Sequence, residues 1–129
     1  MGETADVSRP RVMIVDDEEN LRVSLGQILA VDFDVTLAGS GPEALRALAD
    51  GARFDAVLCD LMMPRMSGVD LYEALSSVAP DAQSRFIFLT GGAYTAQARE
   101  FLARVENPRM EKPFSVAELR GALREMTGR

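Results

Sequence analysis

One stretch decides the fold: Val12-Met13-Ile14-Val15-Asp16-Asp17-Glu18-Glu19. Its first half is continuously apolar and rich in branched side chains, which is typical of a parallel strand buried on both faces. Its second half is acidic and begins where that strand must end. Because ligands bind outside the carboxyl ends of the strands in open parallel sheets, these carboxylates predict a site at that edge.

Short apolar runs and helical patterns alternate along the rest of the chain. The first strand is predicted at residues 11–15, and four more at residues 35–38, 54–59, 85–89 and 109–111, the last on the weakest pattern. Apolar residues at helical spacing predict five helices, marked by Leu21, Leu25, Ile28 and Leu29; by Ala44, Leu45 and Leu48; by Leu71 and Leu75; by Ala98, Phe101, Leu102 and Val105; and by Leu119, Leu123 and Met126. Five β-α repeats with short loops predict an α/β fold with a parallel sheet.

Serines begin three of these helices. Ser40 and Ser115 are each followed three residues later by a glutamate, the spacing of a capping box, and Ser67 is followed in the same way by Asp70.

Length and composition suit one soluble domain. The chain has 129 residues, of which 47% are hydrophobic and 26% charged. Its longest apolar runs are too short for a membrane span, which needs roughly 20 residues. The acidic first residues lack the features of a secretory signal. We therefore expect a cytoplasmic protein with a flexible lead-in over residues 1–10 and one domain over residues 11–127, with a frayed end after it.

Missing residue types exclude several kinds of chemistry. The chain has no histidine, which excludes serine–histidine and cysteine–histidine catalysis and imidazole metal sites. Its one cysteine, Cys59, cannot form an intramolecular disulfide and fits a buried core position. The net charge of −6 argues against a nucleic-acid-binding surface. Carboxylates, hydroxyls and one amine must carry any chemistry.

Polar residues follow the other predicted strands as well. Asp60 comes after the third strand, Thr90-Gly91 after the fourth and Lys112 after the fifth. An isolated carboxylate after a buried run is costly, so Asp60 is difficult to explain as a structural residue. The acidic stretch after the first strand, taken alone, fits a solvated helix start equally well.

Together these residues predict an aspartyl-phosphate site. Asp16, Asp17 and Asp60 would repel one another without a counter-charge, and Mg²⁺ binds such oxygen ligands. Lys112 is the only lysine among fourteen basic residues, and the other thirteen are arginines. This choice indicates that the position requires a compact ammonium group and not a guanidinium. Thr90 offers a hydroxyl donor. A nucleophilic carboxylate, a metal and two donors are the parts of a phosphoryl-transfer site.

Four segments carry this combination across the domain: Val12-Met13-Ile14-Val15-Asp16-Asp17-Glu18, Asp60-Leu61-Met62-Met63-Pro64-Arg65-Met66-Ser67-Gly68, Leu89-Thr90-Gly91 and Glu111-Lys112-Pro113-Phe114. Jointly they resemble the receiver domain of two-component response regulators. The resemblance implies a flavodoxin-like doubly wound (βα)5 fold, with a five-stranded parallel sheet in order 2-1-3-4-5.

The resemblance also implies a role for each site residue. Asp60 would be the phosphoacceptor. The metal, Mg²⁺, would be held by Asp16, Asp17, Asp60 and the backbone carbonyl of Met62. Lys112 would pair with the acidic cluster and then with the phosphoryl group.

The remaining roles concern the phosphoryl group and its source. Thr90 would hydrogen-bond the phosphoryl group, and Gly91 would offer a backbone N–H. The donor would be a phosphohistidine on a sensor histidine kinase or a histidine phosphotransfer protein. The chain would not be an enzyme beyond self-catalysed phosphorylation and slow autodephosphorylation. It would bind neither nucleic acid nor membrane by itself, and a homodimer is compatible with this reading.

One position departs from the family pattern, and two others lie where the family varies the lifetime of the phosphoryl group. Arg109 stands three residues before Lys112, where the family often has an aromatic residue that swings inward on phosphorylation. Met62 and Gly92 occupy positions that tune the decay of the phosphoryl group, and neither offers a polar side chain, which predicts a long-lived phosphorylated state. The segment from Thr90 to Arg109 is most similar to receivers attached to hybrid sensor kinases, so the chain fits an excised domain.

Other functions remain as alternatives. An aspartate-nucleophile phosphatase would have a second aspartate two residues after Asp60, where this chain has Met62. A flavodoxin-like cofactor binder would have a Gly-rich or hydroxyl-rich first loop instead of an acidic one. A non-phosphorylated, scaffold-type receiver is the alternative that Arg109 keeps open.

Overall fold

The computed structural model describes residues 9–92 and 95–128. Its five strands are β1 (Arg11–Val15), β2 (Asp34–Ala38), β3 (Ala56–Asp60), β4 (Phe86–Thr90) and β5 (Arg109–Glu111). They form one parallel sheet in the order β2-β1-β3-β4-β5. The predicted α/β fold and strand order are confirmed.

Six helices lie in the described ranges: α1 (Glu19–Leu29), α2 (Gly41–Ala49), α3 (Gly68–Val78), α4 (Pro80–Gln83), α5 (Ala96–Arg104) and α6 (Val116–Thr127). None of them is long and apolar enough to span a membrane. The sequence predicted five of these helices and missed α4, whose four residues are too few to show an apolar period.

The sheet is covered by helices on both faces, as the continuous apolar runs predict. Successive side chains of β1 point to opposite faces of the sheet, so Met13 and Val15 lie in one core and Val12 and Ile14 in another. One core packs against α2, α3 and α5, and the second against α1 and α6. Burial on both faces holds the strand ends in fixed positions, from which the polar residues project.

Two of the three expected helix starts have a complete capping box. The side chains of Ser67 and Asp70 bind one another's backbone N–H, and Ser115 and Glu118 do the same. At α2, the Ser40 side chain accepts the Glu43 N–H as expected, at 3.3 Å. The Glu43 carboxylate, however, accepts the N–H of Gly39 and not that of Ser40.

The buried face of α1 differs from the expected one. Leu25 and Leu29 are buried, but Ile28 is 36% exposed. Gly26 is buried instead, and a Cβ atom there would lie 3.0 Å from the side chain of Leu37. Because a glycine lets α1 approach β2 closely, the helix is rotated away from the face that its apolar residues indicate.

Arg9 and Pro10 are attached to the domain. The Arg9 guanidinium donates hydrogen bonds to the carbonyls of Ala30 and Phe33. The Pro10 carbonyl accepts the N–H of Asp34 at 2.8 Å. Residues 1–8, 93–94 and 129 lie outside the described residues, so the predicted flexible lead-in and the domain limits stay predictions.

Candidate acidic phosphoacceptor site

Three carboxylates meet at the carboxyl edge of the sheet. Val15 and Cys59 are paired in neighbouring strands, so Asp16 and Asp60 follow them side by side. One oxygen of each of Asp16, Asp17 and Asp60 lies within 4.8 Å of the others. Asp16 is fully buried and Asp60 is 7% exposed, whereas Asp17 is open to solvent.

Backbone amides and one ammonium group hold the two buried carboxylates. The Glu18 N–H donates to Asp16 Oδ1 at 2.9 Å, and the Met62 N–H donates to Asp60 Oδ1 at 3.3 Å. Lys112 Nζ lies 3.8 Å from the Oδ2 atom of each carboxylate. That distance allows charge attraction without a hydrogen bond. Among the described residues, Asp16 Oδ2 is buried and lacks a hydrogen-bond partner.

The electrostatics of the pocket favour a cation. Burial, followed by the neighbouring Asp16 carboxylate, raises the pKa of Asp60 from its ordinary value of 3.8 to about 6, against the lowering effect of Lys112. Burial also raises the pKa of Asp16. The charged forms of these groups are therefore disfavoured in the folded protein. The oxygen donor set and the unpartnered Asp16 Oδ2 fit a hard divalent cation such as Mg²⁺.

Thr90 and Lys112 lie at the same edge of the sheet: Thr90 ends β4, the strand next to β3, and Lys112 follows β5, the strand after that. The Lys112 N–H donates to the Thr90 carbonyl at 2.7 Å, which continues the pairing of β4 with β5. Thr90 Oγ1 is buried and has no hydrogen-bond partner in the described part of the chain. Gly91 is exposed, and within the described ranges no atom lies within 4 Å of the point that a Cβ atom there would occupy. A buried hydroxyl without a partner and an exposed glycine thus stand at the end of the strand next to β3.

Cys59 is a buried core residue, as expected. Its thiol donates to the carbonyl of Asp60 at 3.4 Å. Burial and the nearby Asp60 and Asp16 carboxylates raise its pKa well above the ordinary range. A thiol that does not ionise is a poor nucleophile, which fits the role of a core residue.

Two residues that support the site were missed by the sequence analysis. Arg22 Nη1 donates to the backbone carbonyl of Asp16 at 2.8 Å. Its guanidinium also lies against Gly39, 3.1 Å from where a Cβ atom on that glycine would be. Gly68 donates its N–H to the Leu61 carbonyl at 2.8 Å, directly behind Asp60. The available signals were its place after the helix-capping Ser67 and at the end of the segment from Asp60 that resembles the family, although no structural role was assigned to it there.

Arg109 lies at the start of β5, where it is paired with Phe88. It is exposed to solvent. Its strand partner Phe88 is buried, and the Phe88 ring packs against that of Phe101 with the two centroids 5.3 Å apart. The position three residues before Lys112 therefore presents a charge to solvent.

Comparisons with known proteins agree with this architecture. The family model of the response regulator receiver domain matches residues 12–124. The chain is 35% identical over 119 residues to the sensor kinase CckA of Brucella abortus (strain 2308), covering 89% of this chain and 12% of that protein. It is 38% identical over 112 residues to a response regulator receiver protein of Anaeromyxobacter sp. (strain Fw109-5), covering 84% of this chain and 45% of that one.

A solved structure resembles the whole domain. The receiver domain of the sensor histidine kinase PA1611 from Pseudomonas aeruginosa PAO1, which has a magnesium ion coordinated in its active site cleft, superposes with a TM-score of 0.80. Identity is 25%, and the match covers 95% of this chain and 100% of that one. The chain spans about half or less of the curated relatives it matches. On the family model, the fold and the acidic pocket, the chain belongs to the response regulator receiver domains of two-component signalling.

Proposed function

We propose that this domain is a phosphoacceptor module of a two-component phosphorelay. Asp60 takes a phosphoryl group from a phosphohistidine on a sensor histidine kinase or a histidine phosphotransfer protein. The observation that carries this proposal is the position of Lys112 Nζ, 3.8 Å from both Asp60 and Asp16 and beside a cluster of three carboxylates. The new charge on Asp60 then alters the interactions of the domain.

The transfer is a single displacement at phosphorus. An Asp60 carboxylate oxygen forms the new P–O bond while the P–N bond to the donor imidazole breaks. The imidazole leaves with the electron pair and takes up a proton. The Lys112 ammonium is within reach to stabilise charge on the phosphoryl oxygens, and the unpartnered Thr90 hydroxyl and the Gly91 N–H are available to donate to them.

A divalent cation belongs to this proposal. Asp16, Asp17, Asp60 and the backbone carbonyl of Met62 would hold Mg²⁺, which supplies positive charge that offsets repulsion between the carboxylates and the incoming phosphoryl group. Asp16 Oδ2 is the atom best suited to this task, because it is buried without a hydrogen-bond donor in the described part of the chain.

The family relationships also suggest a cellular setting. CckA and PA1611 are sensor kinases, and this chain is similar to part of the first and to the receiver domain of the second. We infer a cytoplasmic receiver whose phosphoryl group comes from a partner protein or from the rest of a hybrid kinase. Position 109 carries an exposed arginine. The structural change that follows phosphorylation therefore does not depend on an aromatic ring at that position.

Phosphorylation with a small-molecule donor tests the proposal. The protein is incubated with acetyl phosphate and Mg²⁺, and its intact mass is measured. We expect the gain of one phosphate, which Asp60→Asn abolishes and EDTA prevents. Asp55→Asn is the matched control, since Asp55 precedes the amino end of the same strand. An unchanged mass in the wild type would overturn the proposal and favour a scaffold-type receiver.

A further inference from the structure

A cavity lies at the amino edge of the sheet, opposite the acidic site. Its volume is about 560 Å³. It is lined by the amino ends of β1, β3 and β4, by the segment from the end of α2 to β3, and by the segment from the end of α3 to β4. Cavities that bind small molecules typically measure about 300–1,000 Å³. We propose that it binds a small organic anion that carries a phosphate or carboxylate group on an apolar body.

Three arginines supply the attraction for an anion. Arg11, Arg53 and Arg85 line the cavity from separate segments of the chain, together with the two carboxylates Asp55 and Asp81. Asp55 is already engaged, because its Oδ2 accepts the backbone N–H of Arg11 at 2.8 Å. The lining therefore carries an excess of positive charge in a protein whose net charge is −6.

Two of these guanidinium groups are available to a ligand. Arg53 and Arg85 are exposed and form no ion pair within 4.0 Å in residues 9–92 and 95–128. Arg11 is more constrained, with its guanidinium 4.9 Å from the Phe54 ring centroid and 3.9 Å from Asp34. A guanidinium presents a planar set of donors that matches a phosphate or a carboxylate.

An apolar surface completes the cavity. Leu48, Phe54 and Val57 form part of its wall but are almost fully buried. The apolar surface that a ligand could cover comes from exposed lining residues such as Val78, which is 52% exposed, and Pro80. An inorganic anion would leave this surface in contact with water. A ligand with an apolar body would cover it while its charged group met the arginines, which is why both features belong to the proposed ligand.

This cavity is separate from the acidic site. β3 runs from Ala56 beside the cavity to Asp60 in the acidic cluster, and the four residue steps between them span roughly 13 Å. Binding can therefore be tested in the Asp60→Asn variant. Failure of this inference then says nothing about phosphorylation, and the reverse also holds.

Four probes separate the two parts of the ligand: 1-naphthyl phosphate, 1-naphthoate, the neutral 1-naphthalenemethanol and inorganic phosphate. Each is titrated into ¹⁵N-labelled full-length Asp60→Asn protein, and amide shifts are followed by NMR. We expect both naphthalene anions to shift the amides of Gly51, Ala52 and Arg85 saturably. The neutral compound and inorganic phosphate should need concentrations roughly tenfold higher or more, as loss of the charged contact or of the apolar contact predicts.

Substitutions decide whether the arginines are responsible. Arg53→Ala and Arg85→Ala should each weaken binding of the naphthalene anions several-fold. Arg99→Ala, an exposed arginine on α5 away from the cavity, should leave it unchanged. Saturable binding that is equal in all three variants, or no saturable shift at the cavity with either anion, would overturn the proposal.

Discussion

The carbonyl oxygen of Asp60 lies 2.7 Å from the point that a Cβ atom on Gly68 would occupy. The Cα atom of Leu61 is 3.0 Å from the same point. The obstructing atoms are backbone atoms, which cannot rotate away as a side chain can. The start of α3 therefore packs directly against the end of β3, and the position of the Asp60 carboxylate depends on a residue without a side chain.

Gly68→Ala should therefore damage both the fold and the site. We expect a loss of about 1–3 kcal/mol in the free energy of unfolding, the range for overpacking a close contact, together with weaker Mg²⁺ binding. Chemical denaturation and calorimetric Mg²⁺ titration measure the two effects. Gly121→Ala on α6 is the control, because no described atom would lie within 4 Å of its new Cβ and stability should rise by about 0.5–1 kcal/mol. Equal behaviour of the two variants would contradict the close contact.

Stability without divalent cations should fall as the pH rises. Asp60 ionises near 3.8 in the unfolded chain and near 6 in the folded one, so between these values the folded state binds more protons. The free energy of unfolding should then decrease by up to about 3 kcal/mol between about pH 4 and about pH 7. Asp16 acts in the same direction. Denaturation in EDTA should show this slope. Asp60→Asn should reduce it, Mg²⁺ should oppose it at neutral pH, and a rise in stability over this range would refute the prediction.

Lys112→Gln should bind Mg²⁺ several-fold more tightly than the wild type. The ammonium lies 3.8 Å from the Oδ2 atoms of Asp16 and Asp60 and repels any cation that approaches them. The same change should slow phosphorylation by acetyl phosphate, because the incoming phosphoryl group loses its fixed positive partner. Lys112→Arg keeps the charge and should stay nearer the wild type in Mg²⁺ affinity. Weaker Mg²⁺ binding in the glutamine variant would count against the proposed site.

The phosphorylated state should decay slowly, and Met62→Asn should accelerate the decay several-fold. Met62 is 40% exposed beside Asp60 and cannot orient an attacking water molecule, whereas an asparagine amide can. Gly92 is the poorer position to substitute, because its φ of 90° would strain any side chain. Intact mass against time measures the decay. Val31→Asn, a change at an exposed apolar residue, should not alter it, and rapid decay of the unmodified protein would contradict the prediction.

Arg22→Ala should lower Mg²⁺ affinity through the backbone of Asp16. The variant loses the 2.8 Å hydrogen bond to the Asp16 carbonyl, which should cost about 1–2 kcal/mol in the free energy of unfolding. Arg99→Ala is the control on an exposed helix face. If Arg22→Ala lost stability but kept its Mg²⁺ affinity, the arginine would be a purely structural residue.

The strand ends were predictable because they obey simple rules. Buried parallel strands read as continuous apolar runs, and the first polar residue after each run marks the edge of the sheet. That reasoning placed Asp16, Asp60, Thr90 and Lys112 at one edge. It set the ends of β3 and β4 one residue early, because Asp60 and Thr90 are still paired within the sheet.

The missed features depend on how closely two segments approach. Gly26 allows α1 to lie close to Leu37, and Ile28 is exposed on the rotated helix. The spacing of apolar residues in the sequence does not indicate how closely a helix approaches a strand. The contacts of Arg22 and Gly68 are with backbone atoms of other elements, which a side-chain pattern does not encode. Local sequence therefore predicts which residues face the site, and tertiary packing determines what holds them there.

The burial of Cys59 provides a natural probe of how often the domain opens. Its thiol is the only one in the chain, is 0% exposed and lies in the middle of the sheet next to Asp60. An alkylating reagent can reach it only when the helices that cover this face of the sheet move away, so the labelling rate of the unmodified protein measures how often the domain opens. Any ligand that binds the closed state should slow that labelling, whether it is a metal, a phosphoryl group or an anion at the far edge.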